Sequence, residues 1–133
     1  MSVPLAEAAS GDRLSLEIPP DSAHILTVRL FAGGVARSLG LDDETADLLR
    51  LALTEVCSES IERREEGRIV VDVSPDADPI RVTVVATGIL GDGSHTSPTE
   101  ATYRRTLIEA LVPDVTFVEE RDRLTVEFTL GAN

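Results

Sequence analysis

Two glutamates four residues apart, Glu55 and Glu59, are the residues of this sequence whose type and spacing first suggest chemistry. They lie in a pattern over residues 41–64 that predicts the longest helix of the chain, with acidic residues at its start. Residues four apart stand one helical turn above each other, and both glutamates extend an apolar row. We therefore expect the two carboxylates to be only partly solvated. A carboxylate can ligate magnesium, so the pair is a candidate functional site.

Patterns in the rest of the chain predict the elements that hold this pair in place. The predicted strands cover residues 13–18, 68–73, 80–85, 115–118 and 124–130, and the predicted helices cover 22–39, 41–64 and 98–112. Glycine-rich residues 86–96 are expected to form a loop, and residues 1–12 a flexible leader before a single domain over 13–130. This order, β-α-α-β-β-α-β-β, predicts an α/β fold of the α+β two-layer sandwich type. Its sheet would be mixed and mostly antiparallel, with three helices on one face.

Composition limits the function classes. The 133 residues are 42% hydrophobic but only 3% aromatic, which predicts one domain with an aliphatic core. The formal net charge of -12, with arginine as the only strongly basic residue type, argues against binding to nucleic acid or to an anionic membrane surface. Neither a signal peptide nor a membrane-spanning run is recognisable. We therefore expect a soluble cytoplasmic protein.

The order of elements and three short stretches carry a resemblance to a known superfamily. Residues 51–57 (LALTEVC) are similar to the second-helix motif of the GHKL, or Bergerat-fold, ATPases, which include gyrase, MutL and the sensor histidine kinases. Phe31 to Gly40 resembles their first helix, and residues 107–111 resemble their third. Within the superfamily the chain most resembles the small bacterial anti-sigma factors that act as serine/threonine kinases in partner-switching circuits.

The resemblance assigns four candidate site residues. Glu55 matches the glutamate that orients or deprotonates the attacking group, which makes it the candidate catalytic residue. Glu59 stands where the family has a magnesium-binding asparagine, so it is the candidate metal ligand. Gly88 remains from the Asp-x-Gly-x-Gly motif that follows the third strand, and Thr125 matches a threonine near the adenine.

Other positions depart from the family's nucleotide motifs. Ala86 replaces the aspartate that accepts a hydrogen bond from adenine, and Leu90 replaces the second glycine of that motif. The family's Gly-x-Gly-Leu at the third helix is Thr-Tyr-Arg-Arg at residues 102–105, whose side chains would block a close approach of phosphate. Arg104 and Arg105 are either phosphate ligands through their side chains or, as is commoner for arginine on a helix, solvated surface.

The resemblance and its departures together predict a degenerate member that keeps the fold, has lost ATP binding and needs no cofactor. Its expected role is that of an anti-sigma-factor-like regulator in a bacterial partner-switching circuit. Its partner would be a protein, either a sigma factor or an antagonist, and the resemblance also allows a homodimer through the sheet and the first helix. Because the chain is acidic, a basic partner surface is favoured.

Two alternatives remain open. One is an active ATP-dependent anti-sigma serine/threonine kinase that uses ATP and magnesium. The other is a binder of a different small ligand, which predicts an apolar cavity between Glu55, Ala86 and Leu90.

Overall fold

The elements follow each other in the order that the sequence predicts. The computed structural model describes residues 13–75, 79–90 and 98–131. The elements are β1 (Leu14–Ile18), α1 (Ile25–Leu39), α2 (Asp43–Glu62), β2 (Arg68–Ser74), β3 (Ile80–Thr87), α3 (Pro98–Leu111), β4 (Thr116–Glu119) and β5 (Arg123–Leu130), with a short 3-10 helix, Ser22–His24, before α1. The fold class is thus confirmed as α+β. The predicted leader, residues 1–12, lies outside the described residues, as do residues 91–96 of the predicted loop.

One boundary of the sequence prediction is wrong. Ala86 and Thr87 were expected to begin the glycine-rich loop, but β3 continues through both. Thr87 pairs with Arg68 on β2 and with Arg123 on β5, so the ladder on both sides holds the end of β3 in the sheet. Flanking strands supply hydrogen-bond partners that a local pattern does not show.

The described strands form one five-stranded sheet in the order β1-β2-β3-β5-β4. Its four pairings are all antiparallel, where the sequence predicted a mostly antiparallel sheet. Both predicted hairpins, β2 with β3 and β4 with β5, are present. Their strands are rich in valine and threonine, whose branched side chains suit a pleated surface.

Alternate residues of the strands point to one face and are buried under the helices. The buried residues of this face are Leu14, Leu16, Ile18, Ile69, Val71, Val73, Val82, Val84, Ala86, Leu124, Val126, Phe128 and Leu130. Successive strand residues face opposite sides, so the residues between them form the outer face of the sheet. That face carries many threonines and charged side chains, among them Thr83 and Glu127.

Helix α2 crosses the middle of the sheet and contacts β2, β3 and β5. Asp42 caps its first turn, since its carboxylate accepts a hydrogen bond from the Thr45 N–H at 2.7 Å. Before it, α1 ends at Gly40, whose φ of 64° is the left-handed geometry that glycine adopts without strain. The two helices pack on each other.

Helix α3 packs on α2 and buries much less apolar surface. Ile108 is its one buried residue, and Val112 is buried just after its end. Among the described residues, no helix is long and apolar enough to cross a membrane.

Candidate functional site

The two glutamates of α2 face α3, and their burial differs. Glu59 belongs to the buried residues, with 7% of its side chain exposed, whereas 27% of the Glu55 side chain is exposed. The expectation of partly solvated carboxylates therefore holds for Glu55, and Glu59 is buried more deeply. A carboxylate this deeply buried requires a positive partner or hydrogen-bond donors.

Arg105 of α3 supplies that partner to Glu59. Its Nε donates to Glu59 Oε1 at 2.7 Å, and its Nη2 donates to Oε1 of Glu119 on β4 at 2.7 Å. The guanidinium also lies over the ring of Phe117, 4.1 Å from the ring centroid. Arg63, at the end of α2, donates to the same Glu119 oxygen at 2.7 Å. Arg105 thus joins α2, α3 and β4.

Arg104 makes a second connection between α2 and α3. Its Nη1 donates to Glu62, and its Nε lies 3.4 Å from Glu55 Oε2. The contacts form two groups, one of Arg104 with Glu55 and Glu62 and the other of Arg63 and Arg105 with Glu59 and Glu119. We call these seven residues together the α2–α3 ion-pair network. The interpretation of Arg104 and Arg105 as solvated surface is therefore wrong, because both side chains point at carboxylates of α2.

The contacts of the network shift the pKa values of two of its members, Glu119 and Arg105. Hydrogen bonds from Arg63 and Arg105 lower the pKa of Glu119 from 4.5 to about 2, since both donors favour its charged form. For Arg105, burial acts against the charge, but the hydrogen bonds to Glu59 and Glu119 outweigh it and raise its pKa. Glu119 and Arg105 therefore both remain charged at neutral pH.

Gly88 is required by the backbone around it. Its φ is 122°, and a Cβ at this position would lie 2.1 Å from the carbonyl oxygen of Glu66. Its N–H donates to the carbonyl of Asp122 at 3.1 Å. Close approach of the segment after α2 to the end of β3 thus explains the glycine without a ligand. A contact between Gly88 and a nucleotide stays a prediction.

Thr125 is not brought to the two glutamates. It pairs with Val85 on β3 and with Val118 on β4, and its neighbours Leu124 and Val126 are buried on the helix side. Because strand residues alternate, its side chain points to the outer face of the sheet, away from α2. Ala86 is on the helix side and fully buried.

A cavity of about 370 Å³ lies between α2 and α3 beside Glu55. Its lining residues are Glu55, Thr99, Glu100, Tyr103, Arg104 and Leu107. An apolar cavity between Glu55, Ala86 and Leu90 was one prediction, and Glu55 alone of these three lines the cavity found here. We call this cavity the α2–α3 groove.

The residues at this site fit a magnesium nucleotide poorly. Glu59, the candidate metal ligand, has one oxygen engaged by Arg105, and its side chain is nearly inaccessible. Ala86 offers no acceptor for an adenine amino group.

Cys57, two residues after Glu55, has no catalytic geometry. It is fully buried, and burial raises the pKa of its thiol to about 12, so the nucleophilic thiolate is not formed near neutral pH.

Sequence reasoning missed three of the seven residues of the network. Glu62, Arg63 and Glu119 were not singled out, although Glu55, Glu59 and Glu62 follow the spacing of one helix face. That spacing, and the adjacent arginines of a later helix, were the signals available.

Comparison with known protein families agrees with this architecture. The profile of the histidine kinase-like ATPase domain matches residues 18–129. The match covers most of the chain, which therefore belongs to the histidine kinase-like ATPase domain family. Comparison with curated proteins returned no match.

Proposed function

We propose that this protein is an anti-sigma-factor-like regulator that binds a protein partner and has lost the ATP binding of its family. The observation that carries the proposal is that arginines of α3 form ion pairs with both glutamates. These glutamates stand at the family's catalytic and metal-binding positions. Arg105 already gives Glu59 the positive partner that a magnesium ion would otherwise provide, and Arg104 lies 3.4 Å from Glu55.

The negative charge of Glu59 also opposes the binding of a nucleotide at this site. A phosphate chain that reached Glu59 would have to displace Arg105 and would leave a buried carboxylate beside negative oxygens. Arg104 and Arg105 are engaged with carboxylates, so they are poor phosphate ligands unless the network breaks. Side chains at residues 102–105 replace the glycines that let family members approach phosphate with the backbone.

A protein partner is supported by the resemblance and by charge. The net charge of -12 favours a basic partner surface, because opposite charges speed encounter and select partners. We expect the protein to act in a bacterial cytoplasm, where partner-switching circuits operate on sigma factors and their antagonists.

One observation favours a second function, that of an active serine/threonine kinase. Glu55 is partly exposed and lines a cavity, as a catalytic glutamate must. A kinase would need Arg104 and Arg105 to move from α2 when the nucleotide binds.

Calorimetric titration with Mg-ATP tests the proposal. We expect no saturable heat up to about 1 mM nucleotide, a limit that corresponds to about -4 kcal/mol of binding free energy. Saturable micromolar binding would overturn the proposal, and phosphate transfer to a serine of a partner protein that is lost in Glu55→Ala but kept in Glu109→Ala would replace it with the kinase function. Glu109 is a matched control because it is an exposed glutamate of α3 that does not line the groove.

A further inference from the structure

The α2–α3 groove combines exposed apolar surface with carboxylate charge. Tyr103, on its wall, is 70% exposed, and Leu107 also lines the groove. Large apolar side chains at the edge of a groove are typical of contact sites, and tyrosine is enriched among the residues that dominate binding energy. Glu55 places a negative charge inside the same groove. A ligand with an apolar stem and a cationic head matches both features.

The groove already accepts a guanidinium from within the protein. Arg104 reaches Glu55 at 3.4 Å with its Nε while its Nη1 donates to Glu62. Glu55 therefore shares one arginine with a second carboxylate, and its own contact with Arg104 is the longer of the two. A second guanidinium could pair with Glu55 while Arg104 stays on Glu62.

We propose that the α2–α3 groove receives an arginine side chain from a basic amphipathic segment of a protein partner. The guanidinium would pair with Glu55, and apolar residues of the segment would pack on Tyr103 and Leu107. The inference rests on the proposed function, since it locates partner binding on the former nucleotide side of the fold. The net charge of -12 gives long-range attraction, and the groove gives the contact that selects arginine.

Synthetic peptides test this inference directly. One peptide of about 15 residues carries leucine and arginine at helical spacing, long enough to form a helix on the surface. Two matched peptides carry glutamine for arginine or serine for leucine. We expect fluorescence anisotropy to show the first peptide binding at least about tenfold more tightly than either control.

Variants of the full chain distinguish binding in the groove from attraction by the overall negative charge of the protein. Glu55→Gln keeps the shape and removes the charge, so we expect the dissociation constant of the arginine peptide to rise about fivefold to tenfold. Glu109→Gln makes the same charge change on α3 outside the groove and should alter it by less than about twofold. Tyr103→Ala should weaken binding about threefold or more, with little effect on folding because the side chain is mostly exposed.

Two results would overturn the inference. Equal weakening by Glu55→Gln and Glu109→Gln would mean that only the overall negative charge attracts the peptide. Equal binding of the serine-substituted peptide, or of spermidine with the same dependence on Glu55, would identify a site for small cations. In either case the absence of Mg-ATP binding would still support the proposed function, so the two failures are distinguishable.

Discussion

Helices α2 and α3, which flank the candidate site, are held in the fold by different forces. Helix α2 buries an aliphatic face against the sheet and α1, with Leu49, Leu53 and Val56 at most 1% exposed. Helix α3 buries Ile108 and is tied to α2 and β4 by Arg104 and Arg105. Apolar burial fixes the first helix, and charge fixes much of the second.

The difference teaches where this protein can respond to its surroundings. Apolar burial is not directional and changes little with salt or pH. Ion pairs with partly exposed members weaken as salt screens them and change when a carboxylate gains a proton. The α3 side, which also holds the groove, is therefore the region that solution conditions or a charged partner can shift.

The largest expected effect is on the α2 side. Leu53→Ala removes a fully buried side chain and leaves a cavity, so we expect it to lower the free energy of unfolding by about 3 kcal/mol. Leu51→Ala, two residues earlier and 51% exposed, should lower it by less than about 1 kcal/mol. Urea unfolding followed by circular dichroism measures both. Similar losses in the two variants would contradict the packing described for α2.

A smaller effect is expected on the α3 side. Arg105→Met leaves the buried Glu59 carboxylate without its hydrogen-bond donor, and we expect a loss of about 2 kcal/mol in the same urea experiment. The double variant Glu59→Gln/Arg105→Met should recover part of this loss in stability, because residue 59 then carries no buried charge. The control Arg81→Met removes an exposed arginine 3.9 Å from Glu127 and should cost about 0.5 kcal/mol or less. If Arg105→Met lowered the free energy of unfolding no more than Arg81→Met does, the ion pairs of Arg105 would not be what holds α3 in the fold.

The smallest expected effect is a dependence on pH. The folded state lowers the pKa of Glu119 from 4.5 to about 2, so its contribution to stability is present above pH 4.5 and is lost as the pH falls toward about 2. Glu119→Gln should therefore flatten the fall in stability between those values. The expected change is small, since nearly half of the side chain is exposed.

Acid unfolding curves of the wild type, Glu119→Gln and Glu120→Gln test this dependence. Glu120 is an exposed neighbour whose replacement makes the same change in formal charge. A Glu120→Gln curve as flat as that of Glu119→Gln would show that the hydrogen bonds from Arg63 and Arg105 to Glu119 do not cause the loss of stability at low pH.

Much of the fold was predictable because its signals are local. Strict alternation at residues 13–18 places Leu14, Leu16 and Ile18 on the buried face, and the glycine at position 40 ends α1 as predicted. The end of β3 was not predictable in this way, since its last residues are held by pairing with two other strands.

The candidate site was predictable only in part. Glu55 and Glu59 followed from helical spacing, but Thr125 proved to lie on the outer face of the sheet. The alternation of β5 with its buried neighbours could have shown this, because residues that flank Thr125 are plainly apolar.

By itself, the sequence determined the order of elements, the aliphatic core and the position of two carboxylates on one helix face, because short-range periodicity encodes all three. Tertiary structure alone decided what those carboxylates meet. Glu59 and Arg105 are 46 residues apart in sequence, and their contact depends on how α3 packs across α2. Residue spacing along a chain does not encode how two helices pack, so the pairing of Arg104 and Arg105 with these glutamates became visible only in the tertiary structure.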